Sequence, residues 1–421
     1  MKKNFNIILF FVVIHFSVQA QIQSFFADEF PDSSKTRIGL MADYDLNSNA
    51  LTSQFISKFY NGNYLDTDLK NSVLDRVKNN NRVGANINYS IYGVFKTDSF
   101  FHKKNTCLFF SIKDREHFDA RFSKDLFKIG FYGNADFAGK TADFNNFDLS
   151  LLRYQQFQIG IVSTKSDTSS RFGIGLSFLK GEQYKSIHAK KAELFTSEDG
   201  QNIDFNTSLQ VAQSDTATNG LGASNGFGAS VDIYFEAPYK TRIGNSKLRV
   251  SVSDIGLIRF NKQSLYLNQD SLFHYSGFTV NSIYQLQDST FANTSKDSIM
   301  STVAPLKKQS VSVSLPAILN LSFETQLSKH VQLTEGIRYV FNANYNLLFY
   351  VKGNFSINDH VAISATAGYG GYGNFNYGIG ARANFGKGFI VYIGSHNIEG
   401  YIAPNKTCGQ GAYISLLKNF K

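Results

Sequence analysis

The sequence predicts an all-β fold, a transmembrane antiparallel β-barrel of about 14 to 16 strands with short N-terminal helical plug segments. Three observations carry this. The first is period-2 alternation: in RVGANINYSIYGVFK, residues 82–96, Val83, Ala85, Ile87, Tyr89, Ile91, Gly93 and Phe95 share one parity, against Arg82, Asn86, Asn88, Ser90 and Lys96 on the other. Such a strand has one apolar and one wet face, and it runs well past the roughly five or six residues of an ordinary globular strand. The second is that no run of about 18 or more apolar residues occurs, which excludes a helical inner-membrane protein. The third is composition: 40 Phe and 22 Tyr with only 5 Pro suit aromatic girdles and long uninterrupted strands. A secreted sandwich would show shorter strands and more proline-bearing turns.

The N-terminus, MKKNFNIILFFVVIHFSVQA, has two lysines, an apolar run from Ile7 to Phe16 and a small-x-small site at Val18-Gln19-Ala20. Residues 1–20 therefore read as a secretory signal peptide and 21–421 as the barrel. Removing Lys2 and Lys3 takes the formal charge from +9 to +7. Because the lysines are scattered, nucleic acid is not an expected partner; outer-membrane lipid and lipopolysaccharide are. The expected location is the outer membrane of a Gram-negative bacterium. Cys107 and Cys408 form no disulfide framework, and they fall in segments predicted at opposite ends of the molecule.

Along the chain the pattern recurs in RIGLMADYDL (37–46), GFGASVDIYFEA (226–237), YNLLFYVKGNFSI (345–357) and NFNYGIGARANF (374–385). Further strands are predicted near 106–117, 147–165, 171–187, 202–212, 246–258, 264–280, 312–327, 331–343, 361–371, 388–396 and 410–420. Tight turns at 328–330, 358–359 and 386–388 fall at one end of the strands, and longer stretches at 281–310 and 398–409 at the other, matching periplasmic and extracellular ends. Residues 214–225 are too long for the tight turn this count puts there, which conflicts with the strand assignment between 187 and 214. Glu335 and Arg153 fall on the apolar parity of their strands, which requires either a position near the bilayer edge or a β-bulge that shifts register.

Two segments, within 47–81 and 120–134, read as plugs or lids. Leu65, Leu69, Val73 and Val77 repeat every four residues behind Asp66 as an N-cap, and SKDLFKIGFYGN (123–134) is a short helix capped by Ser123 and stopped near Gly130.

Catalytic and metal-binding patterns fail their context tests. Gly222-Ala223-Ser224-Asn225-Gly226 matches G-x-S-x-G, but a strand and not a helix follows. Gly368-Tyr369-Gly370-Gly371-Tyr372-Gly373 matches G-x-G-x-x-G, again with a strand next and no helix N-terminus to cradle phosphate. The seven mature histidines have no i, i+4 pair and no carboxylate at ligand spacing, so no metal, cofactor or enzymatic activity is expected. The lumen is the better candidate. If odd positions face lipid in the last third, Arg338, Lys352 and Arg382 point inward among Asn342, Asn354, Asn376 and Asn384, a surface able to hold an anionic head group. The alternative is an internal salt-bridge network with Glu324, or with Asp66 and Asp68 of the helical segment.

Four stretches, LPAILNLSFETQLSKHVQLTEGIRY, RVSVSDIGLIRF, DLFKIGFYGN and NFNYGIGARANFGKGFIVYIGSHNIEGYIAP, resemble a family of outer-membrane proteins of unknown function in the Bacteroidetes. That family is similar in architecture to long-chain fatty-acid transporter barrels and to the secretion-associated PorV group. The resemblance implies no catalytic or ligand role; Asp254, Gly256, Gly133, Asn134, Asn397 and Gly400 look like turn and strand-end positions. The expected function is passage or binding of small hydrophobic or amphipathic compounds. The alternative is a non-conducting scaffold that docks a secretion or envelope protein.

Overall fold

Alternation of apolar and polar side chains, sustained around a closed ring, organises this molecule. A computed structural model describes residues 34–100, 103–163, 170–217, 220–241, 244–276 and 306–421. The predicted signal peptide, residues 1–20, and most of the 281–310 stretch lie outside the described residues. The chain is a closed 14-strand transmembrane antiparallel barrel.

In chain order, β1 (Thr36–Ser48) leads through α1 (Ser53–Tyr60) and α2 (Thr67–Leu74) to β2 (Asn81–Phe100) and β3 (Lys103–Phe122). Helix α3 (Lys124–Tyr132) and the short β4 (Lys140–Asp143) precede β5 (Phe147–Ser163), β6 (Arg171–Thr196), β7 (Ile203–Gln213), β8 (Gly226–Lys240) and β9 (Asn245–Phe260). After β10 (Leu265–Tyr275), β11 (Lys307–Lys308) and β12 (Ser312–Ser314) come β13 (Ile318–Gln326), β14 (Val331–Val340), β15 (Asn346–Ser356), β16 (Val361–Gly371), β17 (Phe375–Asn384) and β18 (Phe389–Asn397). Helix α4 (Glu399–Ile402) leads into β19 (Gly409–Phe420). The ring closes where β1 pairs β19, Thr36 opposite Phe420 through Asn47 opposite Gly409. Both described ends of the chain therefore lie at the same rim, with the turns 327–330, 357–360 and 385–388.

The predicted segments 202–212 and 264–280 contain strands, β7 and β10, but these are not staves of the barrel; residues 277–280 lie outside the described residues. β6 pairs β8 up to Gly181, and from Lys185 onward it pairs β7, which in turn pairs β10. These strands form a side sheet at the rim opposite the termini. The 214–225 connection thus belongs to the long-loop end, which resolves the conflict found in the sequence. At the branch, β6 carries an extra residue, Glu182, across from the Arg153–Tyr154 step of β5. This bulge answers the Arg153 problem. Its guanidinium meets Glu182 (2.9 Å), Asp114 (3.1 Å) and Glu116 (3.7 Å). No such shift occurs at Glu335, which stands outward between Phe323 and Val351 in regular register.

Outward positions form an apolar belt with members on most of the barrel strands: Ile38, Ile91, Phe110, Ile159, Leu176, Ile233, Leu257, Phe323, Phe349, Tyr377, Ile393 and Ile414 are all exposed. In water such a surface would be unstable, whereas in hydrocarbon it is the solvated face. Inward positions are largely polar, with Gln156, Gln158, Ser177, Asp232 and Asp254 buried.

Helices α1, α2 and α3 gather at the long-loop rim, where Phe55, Leu69, Val73, Val77 and Phe127 share one cluster. The predicted caps hold: the Asp66 carboxylate accepts from Leu69 N, and Ser123 Oγ accepts from Leu126 N at 3.1 Å. Helix α3 ends at Gly133 (φ 83°) and not at Gly130, because Gly133 takes a positive φ that glycine alone adopts freely. Helix α1 went unpredicted, although Thr52 as N-cap with Phe55 and Phe59 one turn apart was legible. Ser123→Ala should cost about 1 kcal/mol, seen as faster amide exchange over 124–132 while the strands keep their protection.

Candidate functional site: the lumenal chamber

From the terminal rim upward, the lumen is filled in three levels. At the lowest, Arg249 on β9 joins Glu236 on β8 (2.7 Å) and Glu324 on β13, while Arg171 on β6 stands 3.6 Å from Glu236. Tyr234 donates its hydroxyl to Glu236 at 2.8 Å. A floor of Tyr92, Phe109, Tyr234 and Tyr392, with the aliphatic Leu417, belongs to the same end.

The middle level is a cavity of about 190 Å³. Its walls carry Asp43 and Asp45 from β1, Asn88 and Ser90 from β2, Lys113 and Arg115 from β3, Asp254 from β9, Asn320 from β13 and Arg338 from β14. One wall is fixed by a network. Arg115 pairs Asp254 and takes Asn88 Oδ1 at 3.0 Å. Gln156 donates to Asp254 at 3.1 Å and to Ser177 at 2.9 Å. Asp254 is not a strand-end residue, as the resemblance had implied: it lies within β9 at a bulge where Asp232 opposes both Ser253 and Asp254. Its φ of 61° is the left-handed value that aspartate tolerates better than most residues, and its backbone N–H is held by Asp232 Oδ1 at 2.8 Å. Gly256, two residues on, is likewise inside the strand; a Cβ there would stand 2.1 Å from Ala229 O.

The upper level closes the mouth with loops that fold inward. Arg82 of β2 donates to Gly371 O (2.8 Å) and Gly373 O (2.9 Å) in the β16–β17 turn. Tyr372 from that turn lies over Gly84, where any Cβ would collide with its ring at 2.2 Å. Asn344 N, in the β14–β15 turn, donates to Asp119 on β3 at 2.6 Å. Asn47 ties β1 to Asn376 and, at 3.1 Å, to Asn397. Burial pushes the Tyr372 phenol well above its ordinary range, so the ring stays neutral at the mouth.

Of the three basic residues singled out in the sequence, only Arg338 lines the chamber, its guanidinium 5.9 Å from the Tyr345 ring. Arg382 lines a separate cavity of about 180 Å³ near the turns, with His330, Gln332 and Asn354. Lys352 is buried on β15, on the rung between Thr334 and Thr366. The three are not brought together into one site. Glu324 takes Arg249, and Asp66 takes Lys58 at 3.0 Å. Sequence reading also missed the contact of His396 with Asp43, whose partners lie 353 residues apart. Both cysteines are free thiols, Cys107 toward the terminal rim and Cys408 at the opposite one. The G-x-S-x-G stretch runs straight into β8, and G-x-G-x-x-G is the β16 end and its turn.

Solved structures similar to this chain are barrels. The toluene transporter TodX of Pseudomonas putida is 8% identical over 92% of this chain and 89% of its own, with a TM-score of 0.41. The toluene transporter TbuX of Ralstonia pickettii is 7% identical over 92% and 90%, TM-score 0.44. A Pseudomonas aeruginosa FadL homologue is 10% identical over 92% and 90%, TM-score 0.43. Superpositions this loose transfer no substrate. No curated protein matches the chain. A family of unknown function (DUF5723) matches residues 30–396, and the chain belongs to that family.

Proposed function

We propose that this protein sits in the outer membrane of a Gram-negative bacterium, exported by residues 1–20, and passes small amphipathic compounds through a lumen that rests closed. The observation that carries the reading is the chamber: a polar-walled space of about 190 Å³ with an aromatic and ionic floor below and inward-folded turns above. Its acid, base and amide lining disfavours a purely hydrocarbon cargo, because buried polar groups lose partners when an apolar solute displaces water. Arg338 is the basic head-group contact; Arg382 and Lys352 stand elsewhere along the lumen.

Uptake into proteoliposomes by a panel of amphiphiles with anionic, neutral and cationic heads tests this. Accumulation of at least one class without steady ion flux is the expected result. The closed mouth also suits a non-conducting scaffold; an inert barrel that takes up nothing and co-purifies with an envelope protein would replace transport with that reading.

A further inference from the structure

We infer that the central chamber is a binding site for a neutral, sugar-sized polyol, free or as the head of an amphiphile. This rests on the chamber being the solute site, as proposed above, and adds what the solute is. The observation is a set of side-chain atoms without hydrogen-bond partners among the described residues: Ser90 Oγ, Tyr413 OH, Ser415 Oγ, both amide atoms of Asn320, and Arg338 Nε. All five residues line the chamber, and Ser90, Asn320, Tyr413 and Ser415 are at most 9% exposed. Buried polar atoms are ordinarily paired, and several orphans around one cavity are a reason to look for a ligand.

Their placement is ordered. Ser90 and Ser415 flank Met41 on one rung of β2, β1 and β19, and Tyr413 occupies the next rung beside Asp43. Asn320 and Arg338 face each other on a rung of β13 and β14. β13 stands half-way round the ring from β1. The orphans therefore belong to residues on two opposed walls of the chamber, and side-chain rotation toward its centre would let one solute between them serve both.

The chemistry of the orphans selects the class. Hydroxyls both donate and accept, and a carboxamide offers one of each. The carboxylates of the chamber are already engaged: Asp43 by His396, Asp45 by Asn397 at 2.6 Å, Asp232 by Gln158 at 2.7 Å, and Asp254 by Arg115. An ammonium group has no idle acid to meet. Four carboxylates stand against Lys113, Arg115, Arg338 and His396, so the lining gives an anion little net attraction. The rings of Tyr345, Tyr372 and Tyr413 add aromatic faces against which the C–H side of a polyol packs.

Isothermal calorimetry on the full-length barrel in a detergent without a sugar head, with D-glucose, D-glucuronate and octanoate as probes, decides the matter. Glucose is expected to bind and octanoate not to. Asn320→Leu should weaken glucose about tenfold, and the milder Ser415→Ala by a smaller factor that shows whether the leucine variant merely misfolded. No heat with any probe would mean a chamber holding water alone and would overturn the proposal. So would octanoate binding in preference to glucose, glucuronate binding more tightly than glucose, or affinities unmoved by both substitutions. Binding without uptake would sink passage and leave the polyol site standing; uptake of amphiphiles without glucose binding would do the reverse.

Discussion

Asp254→Asn is expected to destabilise the barrel by about 3 kcal/mol or more, the largest single-site loss in the lumen wall. Asparagine keeps the shape of the side chain and tolerates the left-handed backbone, so the change isolates charge. What it leaves behind is Arg115, with only 14% of its side chain exposed, facing a neutral amide in place of its counter-ion. The Gln156 bridge to Ser177 and Ser230 loses its charged acceptor at the same time. Removing both partners, as Arg115→Met with Asp254→Asn, should recover much of the loss, since the heavy cost of breaking a buried pair is the stranded charge. With no tryptophan in the chain, the measurement is tyrosine fluorescence during urea titration in lipid vesicles, supported by the gel shift of unheated barrel. Equal stability of parent and Asp254→Asn would show that Arg115 is adequately solvated by the lumen.

Tyr372→Ala should turn a silent barrel into a leaking one. The ring is 3% exposed, reaches from the β16–β17 turn to Gly84 of β2, and stacks edge-on against Tyr345 at 5.0 Å between centroids. Truncation removes a buried aromatic ring from the mouth, while Arg82 still anchors the turn through the carbonyls of Gly371 and Gly373. Ion steps should appear in planar bilayers under conditions where the parent gives none, because constrictions of this kind gate by size and dewetting. Arg82→Ala, which frees the turn and keeps the ring, should give intermittent openings. If Tyr372→Ala remains silent, the barrier lies in the floor around Tyr92, Phe109 and Tyr234, and the mouth is not the gate.

The barrel itself was legible because its rule is local: alternate residues face alternate solvents, so each strand declares itself without reference to its neighbours. The same rule misled at 202–212 and 264–280. Those segments alternate as barrel strands do, and nothing in their own residues says that β6 turns them aside at Glu182. Arg153 and Glu335 looked alike in the sequence and have different explanations, a bulge in one case and an outward carboxylate in regular register in the other. The chamber was scarcely legible. Arg338 was found from parity, but Arg115 and Asp254 meet across 139 residues, and Tyr372 crosses the lumen from a turn that reads only as Gly and Tyr. Parity says which side chains point inward; it does not say at what height, and height separates Arg338 from Arg382.

The seam between β1 and β19 has a consequence for biogenesis. Arg37 and Asn419, bonded side chain to side chain at 2.8 Å, are 382 positions apart, so the cylinder cannot shut until β19 has been made and has reached β1. Until that moment the growing sheet carries two raw edges, each a template for any other chain it meets. Loss of the 12 residues of β19 would therefore leave an open, adhesive sheet and not a narrower cylinder. Pairing of β19 with β1 is thus the checkpoint on which safe closure depends.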